Sequence, residues 1–463
     1  MFISSSYRKI FLVSLAGLFL FSACLEMDDP DVLDPDKVLE ELLPLAQRNL
    51  VYWKTADIGR YTAIWTQQLA GVRGVEGTID RYDPLPVSSN KMWSDHYNYV
   101  NLYFENLIFY ANEANSKAYR GIGRILQAYS LGLMTDAFGH IPFSEADKYL
   151  SAHETPSYDD QEMILLHITE IMDAAIIDLQ NAMDGQGVVP GPAQDFIYGG
   201  DLNQWMKAAR MLKLRYMTRF AHFRQEYTEL FYALQEPGLF ISNADNMTYE
   251  LPDPLGSENP YYNYDEKVRN TRMGKHLVDM LKRTNDPRLP RLVRKNTSNE
   301  YIGSAPGESN FNASFPGTAV AGRHAPIVLL SYPELKFLQA EASYRYGEHE
   351  MADQAYAEGV KASLEWFGAA SDPAWEQENV YKENVTIKQI IEAKYIALFM
   401  QQEVWSDYRR TGYPELVPFE DVSEKIPRRK LYPEDELTHN PHNVYQDETI
   451  FNRVWWDGNP GEI

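Results

Sequence analysis

The segment LKFLQAEASYRYGEHEMADQAYAEGVKASLEWF, residues 335–367, sets the architecture that we expect for the whole chain. It contains two successive stretches in which apolar and small residues recur every three or four positions, the period of an α-helix. The recurring residues are Leu335, Leu338, Ala342 and Tyr346 in the first stretch, and Ala352, Tyr356, Gly359 and Ser363 in the second. The segment therefore predicts two consecutive helices, each with one buried face.

Small residues indicate how closely these two helices pack. Ala340, Ala352 and Gly359 alternate with the large Tyr356. This alternation resembles a tetratricopeptide unit, in which small residues let two antiparallel helices approach and a tyrosine fills the gap. Weaker versions of the pattern pair residues 118–137 with 160–182, and residues 205–220 with the segment that follows them. Because such pairs are stable only when neighbours cover each other's apolar faces, we expect one continuous helical body.

Four further apolar stripes extend the helical period over most of the chain. They are Ala118, Ile122, Ile125, Leu126, Tyr129 and Leu133; Ile164, Ile168, Ile171, Ala175 and Leu179; Trp205, Ala209, Leu212, Tyr216 and Phe220; and Ile387, Ile391, Tyr395 and Leu398. The first stripe should end near Gly139 and Pro142, because proline cannot continue a helix. The predicted fold class is all-α: tetratricopeptide-like helix pairs that form a single scaffold with long irregular loop insertions.

The insertions are rich in glycine and proline. They comprise residues 66–92, 250–272 and 296–326, and a C-terminal stretch from Tyr413. Structureless loops longer than about 15 residues are usually functional or disordered, and loops on a rigid scaffold commonly carry binding sites. We therefore expect the first three insertions to form a binding face.

The N-terminus has the pattern of an export signal. Arg8 and Lys9 precede a short apolar run at 10–21, and Ser22 and Ala23 precede Cys24, the only cysteine. This order predicts a signal peptide over residues 1–23 and lipidation (palmitate) of Cys24, the bland alternative being a secreted protein with an incidental cysteine. One departure is Phe21, where such sites more often have Leu, Val or Ile. Residues 24–36 are interpreted as a lipidated acidic tether, and residues 37–463 as the helical domain.

Charge narrows the partners of the chain. Without residues 1–23 it has 41 basic and 66 acidic residues, a net charge of −25. Such a surface repels nucleic-acid phosphates and anionic lipid headgroups, so neither is an expected partner. A lipid anchor, not charge, should hold the protein at a membrane.

Catalytic and metal-binding motifs are not evident. The chain has no G-x-S-x-G, no H-E-x-x-H and no P-loop lysine motif. His439 and His442 have a spacing that could ligate a metal, but a proline lies between them, so they are interpreted as surface histidines. We therefore predict no cofactor, no metal and no enzymatic activity. A glycosidase-type carboxylate pair remains an alternative among so many acidic residues.

Four segments together resemble the SusD/RagB family, especially its SusD-like branch. They are Ala118-Tyr119-Arg120 through LMTDAFGHIPFSEA at 133–146; WMKAARMLKLRY at 205–216; KYIALF through WSDYRRTGYP at 394–414; and IPRRKLYPEDE at 426–436, followed by Asn440, Asn443 and Trp455-Trp456-Asp457. The resemblance covers most of the chain after Cys24. It implies a largely helical scaffold and a non-catalytic lipoprotein on the cell surface, anchored by lipid in the outer membrane of a Bacteroidota-type bacterium.

The resemblance also implies a function. Such proteins bind a nutrient, usually an oligosaccharide and sometimes a peptide, and lie as a lid on a SusC-like TonB-dependent transporter. The acidic residues Glu26, Asp28 and Asp29 are similar to the signals that send such lipoproteins to the outer face. The alternatives are a peptide-binding RagB-type uptake protein, a surface glycoside hydrolase and an interaction scaffold without a small ligand.

Candidate ligand-binding residues come from the insertions. Aromatic rings stack on the apolar faces of sugars, while Asn and Arg supply directed hydrogen bonds to the hydroxyls. The expected site residues are Trp65, Arg73, Arg81, Tyr82, Asn259, Tyr261, Tyr262, Asn263, Tyr264, Tyr301 and Phe311. Trp93, Tyr97 and Tyr103 follow a helical period and are expected in the core. Trp405, Tyr408, Arg409, Arg410, Trp455 and Trp456 lie in family-typical segments and are interpreted as structural.

Overall fold

The computed structural model describes residues 34–146, 155–251, 258–419, 422 and 425–458 of the 463-residue chain. It is 58% helical with few strands, which confirms the all-α prediction. The predicted signal peptide, Cys24 and the tether up to residue 33 lie outside the described residues, and the first described helix begins at Pro35. Within the described residues, no helix combines the length and the apolar character that a membrane span requires.

The α-helices follow one another along the whole described chain. They are α1 Pro35–Trp53, α2 Arg60–Trp65, α3 Gly74–Asp80, α4 Val87–Asp95, α5 Leu102–Glu113, α6 Lys117–Phe138, α7 Gln161–Met183, α8 Leu202–Arg224, α9 Thr228–Ala233, α10 Pro260–Asn263, α11 Lys275–Arg283, α12 Leu289–Leu292, α13 Thr318–Ala321, α14 Tyr332–Tyr346, α15 His349–Trp366, α16 Pro373–Asn379, α17 Ile387–Ala397, α18 Glu403–Thr411 and α19 Glu434–His439.

Three other kinds of element complete the fold. The π-helices are Lys54–Gly59, His96–Asn101 and Tyr264–Val268, and the 3₁₀ turns are Asn243–Asp245 and Trp455–Asp457. The strands are β1 Leu69–Gly71, β2 Met247–Tyr249, β3 Thr271–Met273 and β4 Ile327–Leu330. They form two antiparallel two-stranded ladders, β1 with β3 and β2 with β4.

Helices α14 and α15 form the close pair that the sequence predicts. The Ser331 hydroxyl accepts the backbone N–H of Glu334 at the start of α14, and Gly347 ends that helix with a φ of +102°, a conformation that glycine adopts without strain. A Cβ atom at Gly359 would lie 2.9 Å from the Phe337 ring. Only a residue without a side chain therefore allows the two helices to approach this closely.

Helices α6 and α7 form a second antiparallel pair. The Ser116 hydroxyl, at the start of α6, donates to the carbonyl of Val188 beyond the end of α7. The Gln161 amide, at the start of α7, donates to the carbonyl of Thr135 near the end of α6. Helix α8 packs chiefly against α7, so the expectation that residues 205–220 pair mainly with the segment after them is wrong. The following helix, α9, has only six residues and offers little surface.

Buried ion pairs join α8, α14 and α18. The Arg215 guanidinium bonds to Glu334 at 2.6 Å, Arg219 bonds to Glu403 at 2.6 Å, and Arg410 bonds to Glu341 at 2.6 Å. All six residues are buried. Trp405, Arg409 and Trp456 are buried as well, which confirms that these family-typical segments are structural. Trp93 and Tyr97 are core residues as predicted, and Tyr103 packs against the core.

The insertions are more ordered than the sequence indicates. Residues 66–92 contain β1, α3 and the start of α4, and residues 250–272 contain α10 and a π-helix. The prediction that these two segments lack regular secondary structure is therefore wrong. Residues 296–326 are irregular except for α13. Strand β1 of the first insertion pairs with β3, which begins at Thr271 within the second insertion. The first two insertions thereby belong to one local structure.

Candidate functional site

Three π-helical segments contribute to one groove. We call Lys54–Gly59, His96–Asn101 and Tyr264–Val268 the first, second and third π segments; they are the π-helices among the residues that the structure describes. A π-helix holds one extra residue per turn, occurs in well under 1% of residues and is frequently found at functional sites. Each of the three supplies residues to the wall of the same groove. This convergence singles out the groove as the candidate functional site.

The groove has the size and lining of a small-ligand site. Its volume is about 370 Å³, within the range of about 300–1,000 Å³ that is typical of ligand pockets. Four aromatic side chains line it: Tyr52, Trp53, Tyr99 and Tyr264. Tyr99 is 54% exposed, so its ring is presented to solvent. Flat, partly exposed rings of this kind can stack on a sugar or another planar apolar face at low entropic cost.

Gly59 positions the third π segment against the first. A Cβ atom at Gly59 would lie 2.4 Å from the hydroxyl oxygen of Tyr261, so only glycine allows the hydroxyl to lie so close. That hydroxyl donates to the carbonyl of Met400 at 2.9 Å, which fixes the start of the segment that carries Tyr264. Sequence positions about 200 residues apart therefore meet at one wall of the groove.

Arg60 contacts both an aromatic residue and a charged residue at the groove. Its guanidinium lies 4.5 Å from the centre of the Tyr264 ring and also bonds to Glu76, which is buried. A second ion pair joins Lys91 to Asp95 along α4. Arg60, Lys91, Asp95 and Asp57 all line the groove. The groove therefore contains two cationic and two anionic side chains, and it has no large net charge.

Two titratable groups of the groove have shifted pKa values. Burial raises the pKa of the Asp57 carboxyl, and the nearby charges of Lys91 and Arg60 offset part of that rise. Burial acts to lower the pKa of Lys91, but its bond to Asp95 and the charge of Asp57 outweigh burial and raise it. Lys91 is therefore cationic at neutral pH. The ionised form of Asp57 is less favourable than that of an exposed aspartate.

Four of the expected site residues lie in the core instead of facing solvent. Trp65 is fully buried at the end of α2, and its ring contacts that of Trp405 at 5.3 Å between centroids. Tyr82 and Tyr261 are buried too. Asn259 is buried as the N-cap of α10, where its side-chain Oδ1 accepts a hydrogen bond from the backbone N–H of Tyr261. These side chains hold the insertions in place and offer no surface to a ligand in this conformation.

The other expected residues are scattered. Tyr264 lines the groove, and Tyr262 and Asn263 precede it on α10. Arg73 bonds to Asn270 and to the carbonyl of Val268. Arg81 caps α3. Tyr301 and Phe311 lie on the third insertion, and Phe311 is 56% exposed. Of the eleven residues, the structure brings Tyr264 alone into the groove wall.

Sequence reasoning missed most of the groove. Tyr52, Asp57, Arg60, Lys91, Asp95 and Tyr99 lie on helices, where periodicity directs attention to the buried face. One signal was present: Tyr99 lies off the stripe formed by Trp93, Tyr97 and Val100, which are all buried. An aromatic residue on the solvent-facing side of a helix with a regular apolar stripe is a candidate for contact with a ligand. The π segments themselves have no composition that distinguishes them from α-helix.

The described residues contain no group of three or more His, Cys, Asp and Glu side chains that could hold a metal ion. The glycines of the first insertion are structural, because a Cβ atom at Gly71 would lie 1.8 Å from the carbonyl oxygen of Glu76, and Gly74 has a φ of +59°. His439 hydrogen-bonds through its ring to the carbonyl of Asp435. The groove combines partly exposed aromatic rings with charged side chains in a volume that suits a small ligand.

Comparison with known proteins places the chain among helical relatives. The model of the SusD-like family, described as "Starch-binding associating with outer membrane", matches residues 35–433. No curated protein matches the chain. A chitin-binding SusD homologue from Flavobacterium johnsoniae superposes with a TM-score of 0.79 at 24% identity, over 91% of this chain and 99% of that one.

Two further solved structures have the same fold. A SusD/RagB family protein from Bacteroides thetaiotaomicron gives a TM-score of 0.73 at 21% identity, covering 93% of this chain and 100% of its own. A SusD homologue from Bacteroides uniformis gives 0.75 at 23% identity, covering 90% and 99%. At these identities the structures are evidence for the fold alone.

Proposed function

Because the chain belongs to the SusD-like family of starch-binding proteins that associate with the outer membrane, we propose that it binds a carbohydrate in the groove formed by the three π segments. The observation that carries the proposal is the convergence of these rare segments on a groove lined by Tyr52, Tyr99 and Tyr264. Rings of this kind supply stacking surfaces, and charged side chains beside them supply directed hydrogen bonds.

The proposal extends to uptake. We infer that the protein captures an oligosaccharide at the cell surface, held there by lipid on Cys24, and delivers it to a SusC-like TonB-dependent transporter. The signal-like order of residues 1–24 supports the anchor. Replacing Cys24 with Ala should release the protein from the membrane fraction, and the wild-type protein should co-purify with a large outer-membrane β-barrel. Retention of the Cys24→Ala protein in the membrane would contradict the anchor.

Calorimetric titration tests carbohydrate binding. The full chain, purified in detergent, is titrated with starch-derived and chitin-derived oligosaccharides of matched length, since relatives bind these two classes. Tyr99→Ala should weaken binding at least about 5-fold, because loss of one stacked ring costs about 1–3 kcal/mol. Tyr381→Ala is the matched control, since Tyr381 is 46% exposed and does not line the groove.

A peptide ligand is the alternative within the same family. Aromatic and charged side chains together could serve a peptide as well as a sugar. A pull-down from a defined peptide pool, run beside a glycan array, separates the two ligands. Enrichment of peptides without any glycan signal would replace the carbohydrate proposal with peptide uptake.

One observation favours a hydrolase as a second candidate. Asp57 and Asp95 line the same groove in different environments, one with a raised pKa and the other paired with Lys91. Glycosidases use two carboxylates whose environments separate their pKa values. Incubation of the protein with a polysaccharide panel, followed by chromatography of the products, distinguishes turnover from binding. We expect no product release, and sustained release that Asp57→Asn abolishes would establish the hydrolase.

A further inference from the structure

The Asp57 carboxylate is the one charged group of the groove that has no direct partner. Arg60 bonds to Glu76, and Lys91 bonds to Asp95. Asp57 makes no hydrogen bond and no ion pair with any residue that the structure describes. A carboxylate has room to accept about four hydrogen bonds. Asp57 therefore presents unused acceptor capacity at the wall of the groove.

This arrangement is costly for the protein. Burial is the largest influence on Asp57, and it disfavours the charged form. The nearby Lys430 side chain does not bond to the Asp57 carboxylate. It lies over the Tyr61 ring instead, with its Nζ 3.2 Å from the ring centroid. The Lys430 ammonium nitrogen is itself buried without a hydrogen-bond partner. Asp57 itself is half-buried at the groove wall, so its carboxylate can be reached by a ligand that enters the groove.

The other charges of the groove restrict what the ligand can be. An anionic sugar, such as a uronate, would bring a third negative charge beside Asp57 and Asp95. Like charges in close contact disfavour binding and are a common source of specificity. A neutral ligand that donates hydrogen bonds to Asp57 avoids that penalty.

The geometry points to Asp57 as the residue that sets the specificity of the groove: its carboxylate accepts two hydrogen bonds from adjacent donors on one ring of a neutral glycan. The adjacent donors are either two neighbouring hydroxyl groups or a hydroxyl and the N–H of a 2-acetamido group. The rings of Tyr99 and Tyr264, which line the same groove, then provide apolar contacts to that sugar. This inference rests on the carbohydrate function proposed above.

The experiment compares three classes of oligosaccharide on matched variants. The full chain is titrated calorimetrically with neutral gluco-oligosaccharides, with chitin oligosaccharides and with uronate-containing oligosaccharides of the same length. Asp57→Asn keeps the shape of the side chain but removes its charge and half of its acceptor capacity. Asp279→Asn is the control, because Asp279 is likewise paired with a lysine four residues away, Lys275, but lies on α11 and does not line the groove. The first two glycan classes distinguish a hydroxyl pair from a hydroxyl with an acetamido group.

We expect Asp57→Asn to weaken binding of the neutral glycan at least about 10-fold, the usual loss for hydrogen bonds to a charged group. Asp279→Asn should change it less than about 3-fold. Uronates should bind the wild type at least about 10-fold more weakly than the neutral glycan, and Asp57→Asn should reduce this difference in affinity.

The inference is overturned, while the carbohydrate function stands, if Asp57→Asn leaves the neutral-glycan affinity unchanged or if the wild type binds uronates and neutral glycans with equal affinity. Absence of binding to all three classes overturns both. Circular dichroism of each variant establishes that it is folded.

Discussion

Gly59 and Tyr261 are in direct contact, and the contact depends on a single oxygen atom. A Cβ atom at Gly59 would lie 2.4 Å from the Tyr261 hydroxyl oxygen but 3.6 Å from the ring carbon Cζ that bears it. The first distance is too short for any real contact, whereas the second is ordinary van der Waals packing. Because Gly59 ends the first π segment and Tyr261 precedes the third, this contact fixes how two walls of the groove meet.

The contact predicts a strongly non-additive pair of substitutions. Gly59→Ala should destabilise the protein by about 1–3 kcal/mol, the usual cost of overpacking. Tyr261→Phe should cost about 1 kcal/mol, because it removes the bond to the Met400 carbonyl. In the double variant the hydroxyl oxygen that would clash with the new Cβ is absent, so the combined loss should be smaller than the sum by at least about 0.5 kcal/mol. Urea denaturation of the four proteins measures the coupling.

Gly77→Ala is the control for that cycle. Gly77 lies within α3, and a Cβ atom there would lie 3.4 Å from the nearest Arg81 guanidinium nitrogen. Alanine has the higher helix propensity, so this variant should be neutral or more stable by up to about 1 kcal/mol. Strictly additive losses for Gly59 and Tyr261 would mean that the two walls are not held by this contact.

Arg60→Lys should separate ligand binding from stability. Lysine keeps a positive charge near Glu76, but it lacks the planar guanidinium that lies over the Tyr264 ring. We expect the glycan affinity to fall about 3- to 10-fold as Tyr264 loses its fixed orientation, at the typical strength of a cation–π contact. Calorimetric titration measures the affinity, and thermal unfolding monitors the fold.

The matched control for this substitution is Arg73→Lys. Arg73 is exposed and bonds to Asn270 and the Val268 carbonyl, and it does not line the groove. Its replacement should leave the glycan affinity unchanged. An equal loss of affinity in both variants would indicate a general electrostatic effect instead of a role for the stacked guanidinium.

The buried pair of Glu403 and Arg219 should make stability depend on pH. Burial alone would raise the pKa of Glu403, but the Arg219 and Arg215 guanidinium groups outweigh it and lower the pKa to about 2. An unfolded glutamate has a pKa of about 4.3, so the pair stabilises the fold fully above that pH, and its contribution is lost as the pH falls towards about 2.

Glu403→Gln should therefore destabilise the protein most at neutral pH. The expected loss is about 3–5 kcal/mol, because Arg219 is left as a buried cation with a weakened partner set. The difference from wild type, measured by urea denaturation, should narrow as the pH falls below about 4.3. Glu415→Gln, which removes a surface pair with Lys388, should show no such pH dependence. A constant difference at every pH would refute the assignment of the low pKa to this pair.

The sequence predicted the scaffold because the scaffold depends on periodicity and on a few small residues. Alternation of apolar and polar positions places the helix pairs, and Gly359 marks the close approach to Phe337. The family resemblance is confirmed by the match over residues 35–433. These features are local, or depend on neighbours in the chain, so they can be recognised without coordinates.

The groove could not be predicted in the same way. Its walls come from positions as distant as Tyr52 and Tyr264, and its π segments arise from one extra residue per turn, which leaves the composition unchanged. Trp65 was expected to face a ligand from a loop, but it is the last residue of a helix and its side chain is buried. Tyr264 was among the expected residues because it lies in the glycine- and proline-rich second insertion, and the structure places it in the groove wall.

Asp57→Asn should make the protein more stable while it weakens binding. Burial raises the pKa of Asp57 above the value of about 3.9 for an unfolded aspartate. A raised carboxyl pKa favours the folded state when the group is protonated, and this advantage is lost as the pH rises through the folded pKa. At neutral pH the charged carboxylate therefore opposes folding, and a neutral amide of the same shape removes that penalty. We expect the midpoint of thermal unfolding to rise by about 1–3 °C at neutral pH, with the rise vanishing below about pH 4.

Asp95→Asn, which gives up a bond to Lys91, is the control for this stability measurement and should show no rise in the midpoint of thermal unfolding. Greater stability together with weaker binding is the pattern of a residue kept for its ligand, whereas a fall in stability in Asp57→Asn would mean that the carboxylate has a structural partner.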